Sequence, residues 1–133
     1  MRRKGSFELV KEYLHEMEMV ILEEDRENEL VVVEKEADGI KNMIVDCEAP
    51  VVIIEQLIMK VKPDSWEFFK RLLQMNRELV QGAFVLDESG QMLLFRDTLQ
   101  LENLDFNELE GAVNSLSLAL SEYSAEFLEH AAA

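Results

Sequence analysis

The tract Val51–Val61 places apolar side chains on both parities. Val51, Ile53, Leu57 and Met59 oppose Val52, Ile54 and Ile58. Glu29–Glu36 does the same, with Leu30 and Val32 facing one way and Val31 and Val33 the other. Successive strand side chains point to opposite faces, so a strand with one wet face alternates apolar and polar residues. These tracts need cover on both faces. The rest of the chain offers three helices, too few to cover both faces of a six-stranded sheet. Either a second subunit or a binding partner covers the remainder, or a long curved sheet wraps its own helices and hides both faces locally.

The elements follow one another without a Pro- or Gly-rich linker. Phe7, Val10, Leu14 and Met17 recur at helical spacing and predict a first helix over Phe7–Glu18, with Ser6 as its cap. Met19–Glu24, Glu29–Glu36, Ile40–Cys47 and Val51–Val61 read as an antiparallel meander. It is rich in β-branched residues and broken by Asp25–Asn28, by Gly39 and by Pro50. Asp64 with Glu67 fits a capping box for a second helix reaching Val80. Phe69, Leu72, Leu73, Asn76, Leu79 and Val80 are expected on its buried face. Ala83–Leu86 and Gln91–Leu101 flank the turn Asp87–Gly90 as a hairpin. Asp105 with Glu108 repeats the capping box before a last helix over Phe106–Leu128, striped by Leu109, Ala112, Val113, Leu116, Leu120, Tyr123 and Phe127. The fold class is α+β, an antiparallel sheet with helices in the order α-β-β-β-β-α-β-β-α. It forms one domain over residues 1–133, with residues 1–5 and 129–133 expected to fray.

Charge bounds the partners. Thirteen Lys and Arg against 28 Asp and Glu give a net charge of −15. Such a chain repels nucleic acid and anionic membranes and favours basic partners. No basic side chain follows Arg96, so the last helix is acidic, with Glu122, Glu126 and Glu129 near its end. That helix is either a solvated face or a docking surface for a cationic partner. No segment has the length and apolarity of a signal peptide or membrane span, and a cytoplasmic protein is expected.

Catalytic chemistry is poorly provided for. Phosphate-binding glycine loops and nucleophile elbows are absent. The two histidines are badly placed: His15 sits on an acidic helix and His130 near the chain end. The lone Cys47 lies between Asp46 and Glu48, which repel a thiolate, and it reads as a small apolar side chain. Acids in the turns Asp25–Glu29 and Asp87–Ser89 do not follow the calcium-loop pattern. No catalytic, cofactor or metal residue is expected. Arg96 should find an acidic partner across the sheet or across a dimer, and Asn76 should make a structural hydrogen bond.

Four runs carry a family resemblance. They are Leu72-Leu73-Gln74-Met75-Asn76-Arg77, Gly82-Ala83-Phe84-Val85-Leu86-Asp87, Phe95-Arg96-Asp97-Thr98-Leu99-Gln100-Leu101-Glu102-Asn103-Leu104, and Asn107-Glu108-Leu109-Glu110. They resemble the YbjN-like bacterial proteins, which share a fold with type III secretion chaperones of the Tir-chaperone type. Gly39-Ile40 and Asp46-Cys47-Glu48 resemble the same family more loosely, and the Ile40–Val61 region adds a strand-like segment to the usual chaperone order. The resemblance implies a non-enzymatic homodimer that holds extended or partly unfolded client segments on apolar surface. Candidate partner-binding residues are Phe7, Val10, Leu14, Val31 and Val33. Candidate dimer contacts are Leu72, Met75, Leu79, Leu94 and Arg96. The alternatives are an acidic regulator that sequesters one folded partner, or a stand-alone YbjN-like protein of other role.

Overall fold

The computed structural model describes residues 5–132. Its elements are α1 (Ser6–Glu16), β1 (Val20–Asp25), β2 (Leu30–Lys35), β3 (Ile40–Glu48), β4 (Val51–Lys60), α2 (Trp66–Glu78), β5 (Ala83–Leu86), β6 (Met92–Gln100) and α3 (Phe106–His130). The expected order is observed, with a short 3-10 turn at Glu36–Asp38 before Gly39. The strands form one antiparallel sheet in the order β1-β2-β3-β4-β6-β5.

Helix α3 starts as its sequence dictates. The Asp105 carboxylate accepts the Glu108 N–H at 2.8 Å, and the Glu108 carboxylate accepts the Asp105 N–H, closing a capping box. The other two caps differ from expectation. Gly5, not Ser6, caps α1, and no side chain bonds to its free N–H groups. Asp64 adopts a left-handed φ of 57°, so Ser65 becomes the cap of α2 and the expected box does not form. Helix α1 also stops two residues early. Glu18 is left-handed and donates its N–H to the His15 carbonyl, which ends the helix without a glycine.

The core lies between one sheet face and the helices. Phe7, Val10 and Leu14 of α1 join Val31, Val33, Met43, Val45, Val52, Ile54, Leu93 and Phe95 of the sheet and the α3 stripe in one buried cluster. Helix α2 is rotated relative to its predicted face. Phe68, Leu72 and Met75 are buried, whereas Leu73 and Val80 are exposed. The reason is packing at the helix ends. Phe68 stacks on His130 at 4.2 Å, and the Asn76 side chain is fixed to Phe84.

The chain end is not frayed through Ala132. Helix α3 continues to His130, whose carbonyl accepts the Lys62 N–H. Ala132 donates to the Lys60 carbonyl at 2.9 Å.

Candidate protein-binding surface

Strand alternation divides the apolar residues between two faces. The helices cover the first. On the second, the cross-strand register sets out three rows. Val32, Ile44, Glu55, Arg96 and Ala83 form the central row. Leu30, Asp46, Ile53 and Thr98 form the next. Leu57, Leu94 and Val85 form the third. None of Leu30, Val32, Ile44, Ile53, Leu57 and Leu94 belongs to the core cluster or packs against it. Ile44 is 37% exposed and Leu57 55% exposed. The described helices leave this face open.

The charges on the open face are specific. Arg96 lies directly across from Glu55 and reaches its carboxylate at 3.4 Å. The expected acidic partner is therefore within the sheet. Asp46 is different. Its Oδ1 is buried and accepts no hydrogen bond. Burial, and then the neighbouring Glu48, holds this carboxyl above the ordinary carboxylate range, since an unpaired charge is costly away from water.

A second apolar surface runs along α2 and the outer edge of β5. Trp66, Leu73 and Val80 are exposed, Val80 to 92%. Phe69, Leu72, Leu73, Phe84, Val85 and Leu86 line a groove of about 340 Å³ beside them. Lys70, Arg77, Glu67 and Glu78 lie on the same helix, so this surface is close to neutral.

The residues singled out from sequence fall differently than expected. Phe7, Val10, Leu14, Val31 and Val33 are all buried in the chain's own core. They offer no surface to a partner in this conformation. The reason is parity: Val31 and Val33 sit on the helix-covered face, and their neighbours Leu30 and Val32 on the open one. Among the dimer candidates, Leu72 and Met75 are buried, Leu79 and Leu94 are half-buried, and Arg96 is exposed. Ile44, Ile53 and Leu57 were missed as surface residues. The signal for Ile53 and Leu57 was present in the two-parity pattern of β4, one of whose apolar sets faces away from the helices.

Other polar groups are structural. Gln56 is buried and spans the β3 start, donating to the Gly39 carbonyl and accepting from the Lys41 N–H. Gln81 donates to Asp97 at 3.2 Å, and its carbonyl accepts the Ser115 hydroxyl. Cys47 is buried, and its thiol is pushed up to about 12, first by burial and then by Glu29 and Asp46. A thiol so held is not a nucleophile at neutral pH. Among the described residues no group of three or more His, Cys, Asp or Glu could hold a metal ion, and no helix is long and apolar enough to cross a membrane.

The CesT_Tir_1 family model matches residues 3–133. The chain belongs to the CesT_Tir_1 family. This family membership agrees with the resemblance read from the runs around Asn76, Phe84 and Arg96. Solved structures share the fold. The crystal structure of YbjN from E. coli superposes with a TM-score of 0.70 at 13% identity, covering 92% of this chain and 93% of that one. A chain of the HopA1–SchA chaperone–effector complex gives 0.61 at 14% identity, covering 86% and 89%. An uncharacterised protein from Methanothermobacter thermautotrophicus gives 0.67 at 17% identity, covering 94% and 98%. No curated protein sequence matches significantly. The CesT_Tir_1 domain thus has a type III secretion chaperone-like fold, with helices on one face of its sheet and apolar side chains on the other.

Proposed function

We propose that this CesT_Tir_1 protein is a non-enzymatic, homodimeric, chaperone-like binding protein that holds extended or partly unfolded client segments on its open sheet face. The observation that carries the reading is the unpacked apolar set Leu30, Val32, Ile44, Ile53, Leu57 and Leu94. Apolar patches of this kind mark interaction sites, and burying each such side chain contributes about 1.5–3 kcal/mol. The similarity to a chain of a chaperone–effector complex supports a protein client. The dimer forms through the near-neutral α2–β5 surface, with Trp66, Leu73 and Val80 taking the place of the buried Leu72 and Met75. Balanced charge lets two copies meet there without repulsion.

The acidic-regulator reading has less to draw on. Glu126 of α3 is held by Arg71 at 2.9 Å within the chain, so part of the helix charge is already neutralised.

The test is suppression of aggregation of reduced insulin. The wild-type protein should keep the insulin chains soluble at near-stoichiometric ratio. The Ile44→Ser/Leu57→Ser variant, folded by circular dichroism, should not. Equal protection by both proteins would contradict the open face as the holding surface.

A further inference from the structure

The open face carries a charge pattern that selects what can lie on it. Glu34 on β2, Asp46 and Glu48 on β3, and Glu55 on β4 share this face by strand alternation. The cation among the rows, Arg96, is already held by Glu55, and Lys60 lies at the far end of β4. Beyond the Glu55–Arg96 pair, the apolar rows therefore sit among an excess of acids, Glu34, Asp46 and Glu48. Two copies stacked through this face would set acid against acid in a partly dry interface, where like charges repel strongly. A second copy is therefore a poor occupant. A segment bearing positive charge is a good one.

The position of the missing cation is marked. Asp46 stands on its row between Leu30 and Ile53. Glu48, two residues on along β3, shares the face and adds to burial in holding the Asp46 carboxyl above the ordinary range. Two acids side by side on a partly dry face repel, and a ligand cation beside Asp46 would relieve that repulsion. Ile44 stands two residues from Asp46 on β3, roughly 6.6 Å away along the strand. An extended client has the same spacing between side chains on one face. A client lying along β3 and β4 can thus place an apolar residue at Ile44 and a cation at Asp46.

We infer that the open sheet face takes an extended segment that alternates apolar residues with a lysine or arginine, and that this cation docks on Asp46. The inference rests on the open face being the client site, and it adds the chemistry that the client must carry.

The probe is a fluorescein-labelled ten-residue peptide alternating Val or Ile with Thr and carrying one inward-facing Lys. A matched peptide has norleucine in place of the Lys. Binding is read by fluorescence anisotropy in low salt. The Lys peptide should bind on the order of ten-fold more tightly than the norleucine peptide, the effect of one charge-assisted hydrogen bond. Asp46→Asn should remove that preference while leaving norleucine-peptide affinity nearly unchanged. Glu48→Gln, further from the apolar rows, should reduce the preference only slightly. Ile44→Ser/Leu57→Ser should weaken both peptides alike.

Equal affinity for the two peptides, with both weakened by Ile44→Ser/Leu57→Ser, would overturn the cation anchor and leave the client face standing. Peptide binding indifferent to Ile44→Ser/Leu57→Ser would overturn the client face itself. A dimer dispersed by Leu57→Ser would show that a second copy occupies the face, and would overturn the cationic segment as its occupant.

Discussion

The side-chain amide of Asn76 pairs with both backbone groups of Phe84. The Phe84 N–H donates to Asn76 Oδ1 at 2.7 Å, and Asn76 Nδ2 donates to the Phe84 carbonyl at 3.1 Å. A helix side chain thus acts as the next strand beyond β5, which is the last strand of the sheet. Edge strands expose unpaired N–H and C=O groups that recruit other chains, and Asn76 closes this edge at Phe84. Asn76→Ala should leave both backbone groups without partners and cost about 1–3 kcal/mol. Urea denaturation checks this: a midpoint matching wild type would show that water replaces the amide at no cost.

Gly82 allows the chain to turn into β5 directly over Phe95. Its φ is +74°, and a Cβ there would sit 2.3 Å from the Phe95 ring. Phe95 is buried in the core, so the ring has little room to yield. Gly82→Ala should therefore cost about 2–4 kcal/mol through strain and overpacking together. Thermal unfolding should show a large drop in Tm. A change within a degree or two would mean that the Phe95 ring repacks freely.

Cys47 sets a pH limit on stability. Its thiol is raised from 9.0 to about 12 in the folded chain, by burial first and then by Glu29 and Asp46. Above pH 9 the unfolded chain loses this proton while the folded chain keeps it, so stability falls as pH rises from 9 towards 12. Below pH 9 both states keep the proton and the effect vanishes. Cys47→Ala should flatten the alkaline limb of the stability profile. Ellman's reagent at pH 8 should react with the thiol slowly until denaturant is added. Rapid labelling of the folded protein would contradict its burial.

Sequence and structure agree most where local signals and packing point the same way. The Asp105–Glu108 box and the stripe from Leu109 to Phe127 fix α3 from sequence alone, because capping and 3.6-residue periodicity both act within a helix. The order of strands follows from the β-branched runs and the turns at Gly39 and Gly90. The end of α1 and the cap of α2 were not legible, because Glu18 and Asp64 take left-handed backbone, which helical periodicity does not announce. The rotation of α2 depends on Phe68 meeting His130 and Asn76 meeting Phe84, contacts between distant parts of the chain. The site was half legible. The two parities of β2 and β4 showed that one apolar set lies outside the core. Which set that is depends on the face chosen by α1, and helical spacing carries no information about that choice. Phe7, Val10, Leu14, Val31 and Val33 lie on the helix-covered side of the sheet, in the core.

Self-association should run through α2. Leu73 is 73% exposed and lines the groove beside β5, so Leu73→Asp leaves the core intact while placing a charge in an apolar contact. Light scattering at micromolar concentration should give twice 15.4 kDa for the wild type, and 15.4 kDa for Leu73→Asp with an unchanged circular dichroism spectrum. A wild-type protein that scatters as a monomer would remove the dimer from the proposal. A variant that remains dimeric would move the interface off α2.

The claim that the open sheet face holds client is tested most directly by mapping the contact in solution. Amide and methyl chemical shifts of isotope-labelled protein would be followed as reduced insulin B chain is added. The account predicts shifts concentrated on Ile44, Ile53, Leu57 and Leu94, with the methyls of Val31, Val33 and Leu14 little changed. Shifts concentrated on Glu122, Glu126 and Glu129 of α3, with the open face silent, would contradict it.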